Sequence, residues 1–131
     1  MKINKLEQFN LMGKEIFRPL SDDFGYTRGE AEVYELDGSP WSTKYVYLNT
    51  DKMLKIEILQ EPYYTDYGFS FLIYNLNSDD YNIICNVPHE KQDSEGKFLY
   101  DAAKEIFGSP KIMKIIKGEV WENLDGIYFK R

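Results

Sequence analysis

Residues 52–76, KMLKIEILQEPYYTDYGFSFLIYNL, contain two strand-like stretches joined by a short polar and aromatic connection. In KMLKIEILQ (52–60), apolar residues alternate with charged and polar ones, which is typical of a strand with one face in water. YGFSFLIYNL (67–76) is apolar on both faces, which predicts a central strand. The connection is too short for a crossover helix, so we expect the two strands to pair in antiparallel fashion.

Similar strands are predicted on both sides of this pair. EAEVYEL (30–36), TKYVYLN (43–49) and YNIICNV (81–87) are rich in β-branched and aromatic residues and are separated by short turns. The run from 30 to 87 therefore predicts an antiparallel β-meander of about five to seven strands, once the C-terminal segment is included.

Two helices are predicted to accompany the sheet, which makes the fold class α+β. The first spans about 5–12, where Asn4 and Glu7 form a capping-box pattern and Gly13 is a candidate end. The second lies near residues 95–107, where an apolar stripe recurs at helical spacing, and we expect it to pack on the sheet.

The segment that follows allows two interpretations. Ser109-Pro110 is a possible helix start, which would make residues 110–117 helical. The pattern of the whole segment nevertheless favours strand-like pieces at 111–122 and 127–130.

Length and composition indicate a single domain over residues 1–131. The chain is long enough to bury a core, and its 43% hydrophobic and 29% charged residues are ordinary values for a globular protein. The one cysteine, Cys85, suits a reducing compartment, and we find neither a signal-peptide pattern nor an apolar run of membrane-spanning length. We therefore predict a cytoplasmic protein that does not enter a membrane.

No residue pattern in the sequence points to catalysis or to a bound cofactor. Cys85 and His89 are too close in sequence, across Pro88, to suggest a nucleophile–base pair, so we interpret Cys85 as a buried apolar residue and His89 as an exposed loop residue. One Cys and one His are too few for a zinc site, and the chain has no phosphate-binding glycine-rich loop. We predict no enzyme activity, no catalytic residues, no metal and no cofactor.

The charge is unevenly distributed along the chain. The formal net charge is -6, but residues 19–95 carry 15 acidic and 5 basic side chains, and the two ends offset part of this excess. An acidic surface repels nucleic acid and anionic lipid and attracts basic proteins. We therefore expect a basic protein partner and no direct contact with nucleic acid.

The connection EPYYTDYG (61–68) combines aromatic contact area with negative charge at one end of the predicted sheet. Tyrosines of this kind serve as anchors in interfaces, and nearby acids raise the association rate. The turns around residues 49–51 and 75–80 should place further acids together at the opposite end. The predicted partner-binding residues are Asp22, Asp23, Tyr63, Tyr64, Asp66, Asp79 and Asp80.

A small acidic α+β meander without catalytic residues resembles the immunity proteins of bacterial contact-dependent growth inhibition and related polymorphic toxin systems. The resemblance lies in the size, charge and architecture of the whole chain, and it transfers no functional residue. It implies a cognate toxin, often a nuclease, that the protein binds in a 1:1 complex by covering the basic active-site surface.

Three other functions are compatible with the same sequence, and one of them is an enzyme that uses paired carboxylates. A small-ligand-binding or regulatory domain would use aromatic residues to line a pocket between sheet and helix. A phage-encoded inhibitor of a host enzyme would bind its target by the same physical means as an immunity protein.

Overall fold

The computed structural model describes residues 5–36, 38–61, 68–124 and 128–129, and these ranges form an α+β fold. The helices are α1 (Lys5–Ile16), α2 (Pro19–Asp22), α3 (Lys97–Phe107) and α4 (Pro110–Ile116), with a short 3-10 helix at His89–Lys91. The strands are β1 (Thr27–Arg28), β2 (Glu32–Leu36), β3 (Ser39–Asn49), β4 (Leu54–Gln60), β5 (Phe69–Asn75), β6 (Tyr81–Val87) and β7 (Tyr128–Phe129).

The described strands form one sheet in the order β1–β3–β4–β5–β6–β7, and β2 also pairs with β3. All pairs are antiparallel except β6 with β7, which is parallel. Because β3, β4, β5 and β6 follow one another in sequence and in space, the predicted meander is confirmed. The predicted α+β class, with an N-terminal helix and a helix near 95–107 on the sheet, is confirmed as well.

One side of the sheet, the covered face, forms the core with the helices. Tyr45 on β3, Ile58 on β4 and Phe71 on β5 lie opposite one another in register, and all three are buried. The Phe9 ring of α1 lies 5.6 Å from the Tyr45 ring, and the Phe98 ring of α3 lies 6.1 Å from that of Phe69 (centroid distances). Both helices therefore pack on the same side of the sheet.

The N-terminal helix is longer than the sequence predicted. It continues through Gly13 to Ile16, since Gly13 is buried and lies against the Phe9 ring one turn earlier. The glycine therefore allows close packing within the helix and does not end it. The predicted N-cap, Asn4, lies outside the described residues.

The strand predicted at 111–122 is wrong, because α4 occupies Pro110–Ile116. The Ser109 hydroxyl accepts a hydrogen bond from the Ile112 N–H at 3.3 Å, and Pro110 occupies the first helical turn. Ile112, Ile115 and Ile116 are buried on one face of this helix. Part of the strand predicted at 127–130 is present as β7, while residues 127 and 130 lie outside the described ranges.

Candidate functional site

No described helix packs on the other side of the sheet, here called the open face. Its side chains belong to the residues that alternate with the core positions of β3 to β6. Leu48, Tyr81 and Ile83 expose 37%, 54% and 41% of their surface. Large apolar and tyrosine side chains that stay this accessible on a sheet are typical of a surface that another molecule covers. The open face includes Lys44, Val46, Leu48, Lys55, Glu57, Leu59, Ser70, Leu72, Tyr74, Tyr81, Ile83 and Asn86.

A charged cluster lies in the middle of this face. Glu57 is 8% exposed, and its carboxylate lies 3.7 Å from Lys44 Nζ and 3.4 Å from Lys55 Nζ. The Tyr74 hydroxyl donates a hydrogen bond to Glu57 Oε1 at 3.1 Å, and the Tyr74 ring stacks on that of Tyr81. The cluster therefore holds two cations and two aromatic rings in fixed positions between the apolar side chains.

Tyr74 keeps its proton at neutral pH. Burial raises the pKa of Tyr74 to about 12, and the adjacent Glu57 carboxylate adds to this effect. The hydroxyl therefore remains a hydrogen-bond donor. The Glu57 carboxylate thus interacts with the ammonium groups of Lys44 and Lys55 and with the Tyr74 hydroxyl.

One end of the sheet, here called the acidic end, consists of the β3–β4 turn (50–53) and the β5–β6 turn (76–80). The Leu76 N–H donates to the Met53 carbonyl at 2.9 Å, so the two turns are in contact. Asp51, Asp79 and Asp80 are exposed there, and none forms an ion pair with the side chains in the described ranges. The turns that the sequence placed at one end are indeed neighbours.

The two N-terminal acids of the predicted site differ in their surroundings. The Asn49 side chain donates to the Phe24 carbonyl at 3.3 Å, which brings the adjacent Asp23 to the acidic end. Asp22 instead pairs with Arg18 at 2.9 Å. The charge of Asp22 is therefore compensated locally, whereas the exposed Asp23 side chain has no partner among the ion pairs of the described residues.

Tyr63, Tyr64 and Asp66 lie outside the described residues. The ends of their segment are well defined, since the Glu61 N–H donates to the Gly68 carbonyl at 2.8 Å. These described ends, Glu61 and Gly68, are at the opposite end of the sheet from Asp79 and Asp80. The prediction for Tyr63, Tyr64 and Asp66 stays a prediction.

The open-face residues were not among the predicted site residues, although the sequence contained a signal for them. The alternation in β3 and β4 separates Leu48 and Leu59 from the core positions, and Tyr81 begins a strand beside a polar turn. Sequence alternation assigns these residues to the face opposite the core but does not show that this face stays uncovered.

Cys85 and His89 are both in the protein interior. Cys85 is fully buried, as predicted, and burial raises the pKa of its thiol to about 12. The prediction that His89 is exposed is wrong, because His89 is 8% exposed and its Nε2 forms a hydrogen bond with the Glu61 carbonyl. His89 thus fixes the start of the β4–β5 connection to the segment after β6.

The described ranges contain no metal-binding cluster and no helix able to span a membrane. The side chains of His, Cys, Asp and Glu described there include no group of three arranged to hold a metal ion. None of the helices in the same ranges is both long enough and apolar enough to cross a lipid bilayer.

Comparison of the chain with protein-family models, with curated proteins and with solved structures gave no significant match.

Proposed function

We propose that this domain is a binding protein that neutralises a basic partner protein by covering part of its surface, as an immunity protein covers its toxin. The observation that carries the proposal is the open face, where accessible Leu48, Tyr81 and Ile83 surround a fixed Lys–Glu–Tyr cluster. Interfaces combine large apolar and aromatic anchors with satisfied polar groups in this way.

The sheet makes this surface rigid before binding. Each open-face residue of β4 and β5 belongs to a strand that is hydrogen-bonded on both sides. A preorganised surface loses little conformational entropy when it binds, so a larger part of the contact energy remains as affinity.

The acidic end supports a partner of positive charge. Asp23, Asp51, Asp79 and Asp80 lie around adjacent turns and lack cationic partners among the described ion pairs. Unpaired exposed carboxylates attract a basic surface over distances of about 10 Å and so raise the association rate. Nuclease toxins have basic active-site surfaces because they bind phosphate, and a toxin of this class in a 1:1 complex is the specific partner that we propose.

The proposal can be tested by affinity capture from the native lysate with matched variants. The tagged wild-type chain is compared with Ile83→Lys on the open face and with Asp79→Asn/Asp80→Asn at the acidic end. Glu95→Gln/Glu105→Gln is the control, because it removes the same charge from exposed positions around α3. We expect one basic protein to be retained by the wild type and the control at near-equal amount. Ile83→Lys should lose it, and the Asp79/Asp80 variant should retain it only at low salt.

The captured protein then decides the function. If it is a nuclease whose activity falls in proportion to added domain and is abolished at a 1:1 ratio, the inhibitor proposal is supported. A host enzyme inhibited in the same way would identify the phage-type alternative. Retention that is equal for wild type and Ile83→Lys would contradict the open face as the binding surface.

A further inference from the structure

A second candidate site lies on the covered side of the sheet, away from the open face. It is a cavity of about 500 Å³ between α1, α2 and the edge formed by β1 and β3. Its wall includes Leu11 and Lys14 from α1, Arg28 from β1 and Tyr47 from β3. The volume is in the range of small-molecule sites.

The cavity has a local excess of positive charge although the chain as a whole is acidic. Its two acids, Glu15 and Asp22, are both paired with Arg18, at 3.0 and 2.9 Å. The two remaining cations, Lys14 and Arg28, take part in none of the ion pairs between described residues. These two charges are available for an anion.

Lys14 and Arg28 both lie near the same aromatic ring. Lys14 Nζ and Arg28 Cζ each lie 5.9 Å from the centroid of the Tyr45 ring. Because both residues also line the cavity, an anion bound there would be attracted by both charges.

Tyr47 adds an unused hydrogen-bond donor to the two cations. Its side chain is 1% exposed and forms part of the cavity wall, and its hydroxyl has no hydrogen-bond partner among the described residues. Arg28 lies directly opposite Tyr47 in the β1–β3 register, on the same face of the sheet. A buried hydroxyl without a partner is costly and is unusual unless a ligand or water satisfies it.

The hydroxyl is protonated at neutral pH and can donate. Burial raises the pKa of Tyr47 to about 12, and the positive charge of Arg28 opposes this shift only in part.

We propose that this cavity binds a small molecule through an oxyanion group, a phosphate or a carboxylate, held by Lys14, Arg28 and the Tyr47 hydroxyl. A guanidinium, an ammonium and a phenol are together a suitable donor set for such a group. The cavity is larger than a phosphate ion, so the rest of the ligand would lie along the apolar side chain of Leu11. The proposal does not depend on the open face. It gives the protein a regulatory or ligand-binding role in addition to partner binding.

The test is calorimetric titration of the whole chain with inorganic phosphate and, separately, with acetate, at an ionic strength held constant with chloride. We expect saturable binding of at least one anion and a melting temperature that rises with its concentration. Binding of phosphate alone or of acetate alone would support the site and identify the class of oxyanion. Failure of both anions to bind would overturn the proposal.

Two variants with matched controls locate the binding. Arg28→Gln and Tyr47→Phe should each weaken the anion about tenfold, the usual loss for a charge-assisted hydrogen bond. Lys104→Gln and Tyr100→Phe are the controls, because both residues are exposed on α3 and neither lines the cavity. Equal binding by Arg28→Gln and Lys104→Gln would overturn the proposal.

The stability of Tyr47→Phe without anion is a second readout. Because the hydroxyl has no hydrogen-bond partner in the described part of the chain, its removal should leave the melting temperature unchanged or higher. A melting temperature clearly below that of the wild type would show that the hydroxyl has a structural partner, and this would count against its role as a ligand donor. The Arg28→Gln variant, at an exposed position, tests the site even in that case.

Discussion

The two faces of the sheet use aromatic residues in opposite ways. On the covered face, Phe69 and Phe71 are fully buried. Phe69 contacts the rings of Phe9 in α1 and Phe98 in α3, and Phe71 contacts the ring of Phe17, which lies between α1 and α2. On the open face, Tyr74 and Tyr81 stack on each other and keep part of their surface accessible. The difference teaches that the phenylalanines of the covered face stabilise the fold, whereas Tyr74 and Tyr81 remain accessible beside charged side chains and, under the proposed function, would contact a partner.

The largest expected difference between the faces is in the free energy of unfolding. Phe71→Ala should lower it by about 3–5 kcal/mol, because the substitution leaves a cavity beside the Phe17 ring, which lies 5.6 Å away. Tyr81→Ala on the open face should cost less than about 1 kcal/mol, since this side chain is more than half exposed. Urea unfolding measures both, and similar losses would mean that the open face is part of the stabilising core.

The charged cluster should give the next largest effect. Glu57→Gln removes the negative charge between Lys44 and Lys55, and we expect a loss of about 1–2 kcal/mol, because the carboxylate is largely shielded from water. Glu105→Gln is the matched control at an exposed position of α3. If the two variants unfold at the same urea concentration, the cluster contributes nothing to stability.

A smaller effect is expected where α3 begins. The Asp93 carboxylate accepts hydrogen bonds from the N–H groups of Lys97 and Phe98 at 2.9 and 2.8 Å. Asp93→Ala should therefore lower the free energy of unfolding by about 1 kcal/mol, as the loss of a helix cap usually does.

Asp93 should also contribute to the pH dependence of stability. Partial burial acts to raise the pKa of Asp93, but hydrogen bonds from backbone N–H groups outweigh it and lower the pKa overall. A lowered folded-state pKa means that the stabilisation is present above the unfolded-state pKa of about 3.9 and is lost as pH falls through the folded-state value. In acid unfolding experiments, Asp93→Asn should show a weaker loss of stability below about pH 4 than the wild type. If the wild type and Asp93→Asn lose the same free energy of unfolding as the pH falls, the proposed role of Asp93 in acid stability is contradicted.

The smallest effect on stability is expected at the open face. Ile83→Thr keeps a β-branched side chain at a position that is 41% exposed, and it should change the free energy of unfolding by less than about 0.5 kcal/mol. The same substitution should weaken partner capture, because it removes an apolar anchor. Unchanged capture together with reduced stability would reverse the roles that we assign to the two faces.

The strands were predictable because alternation and short turns are local properties of the sequence. The alternation in residues 52–60 predicts a strand, and the short connection to the next strand predicts an antiparallel pair. The face predicted to be in water is instead buried or half-buried along β4, with Glu57 8% exposed. The α4 error arose although Ile112, Ile115 and Ile116 have helical spacing, because three isoleucines in a short run also favour a strand.

The candidate site was less predictable because it depends on contacts between distant parts of the chain. His89 is buried through a hydrogen bond with Glu61, 28 residues earlier, which no local pattern reveals. The Arg18–Asp22 pair has i,i+4 spacing and was visible in the sequence, but its role in a cavity wall was not. Which face of the sheet the helices leave uncovered is likewise a property of the assembled fold.

The burial of Cys85 gives the molecule a built-in reporter of its own opening. The thiol is fully buried on the central part of the sheet, and its raised pKa leaves almost no thiolate in the native state. Because Cys85 lies on the covered face opposite Phe71, a thiol reagent can react only after the core between the sheet and the helices opens, and the chain has no other cysteine to give a competing signal. The rate of labelling in native buffer would thus measure how often this core opens, and a bound partner or anion should slow it.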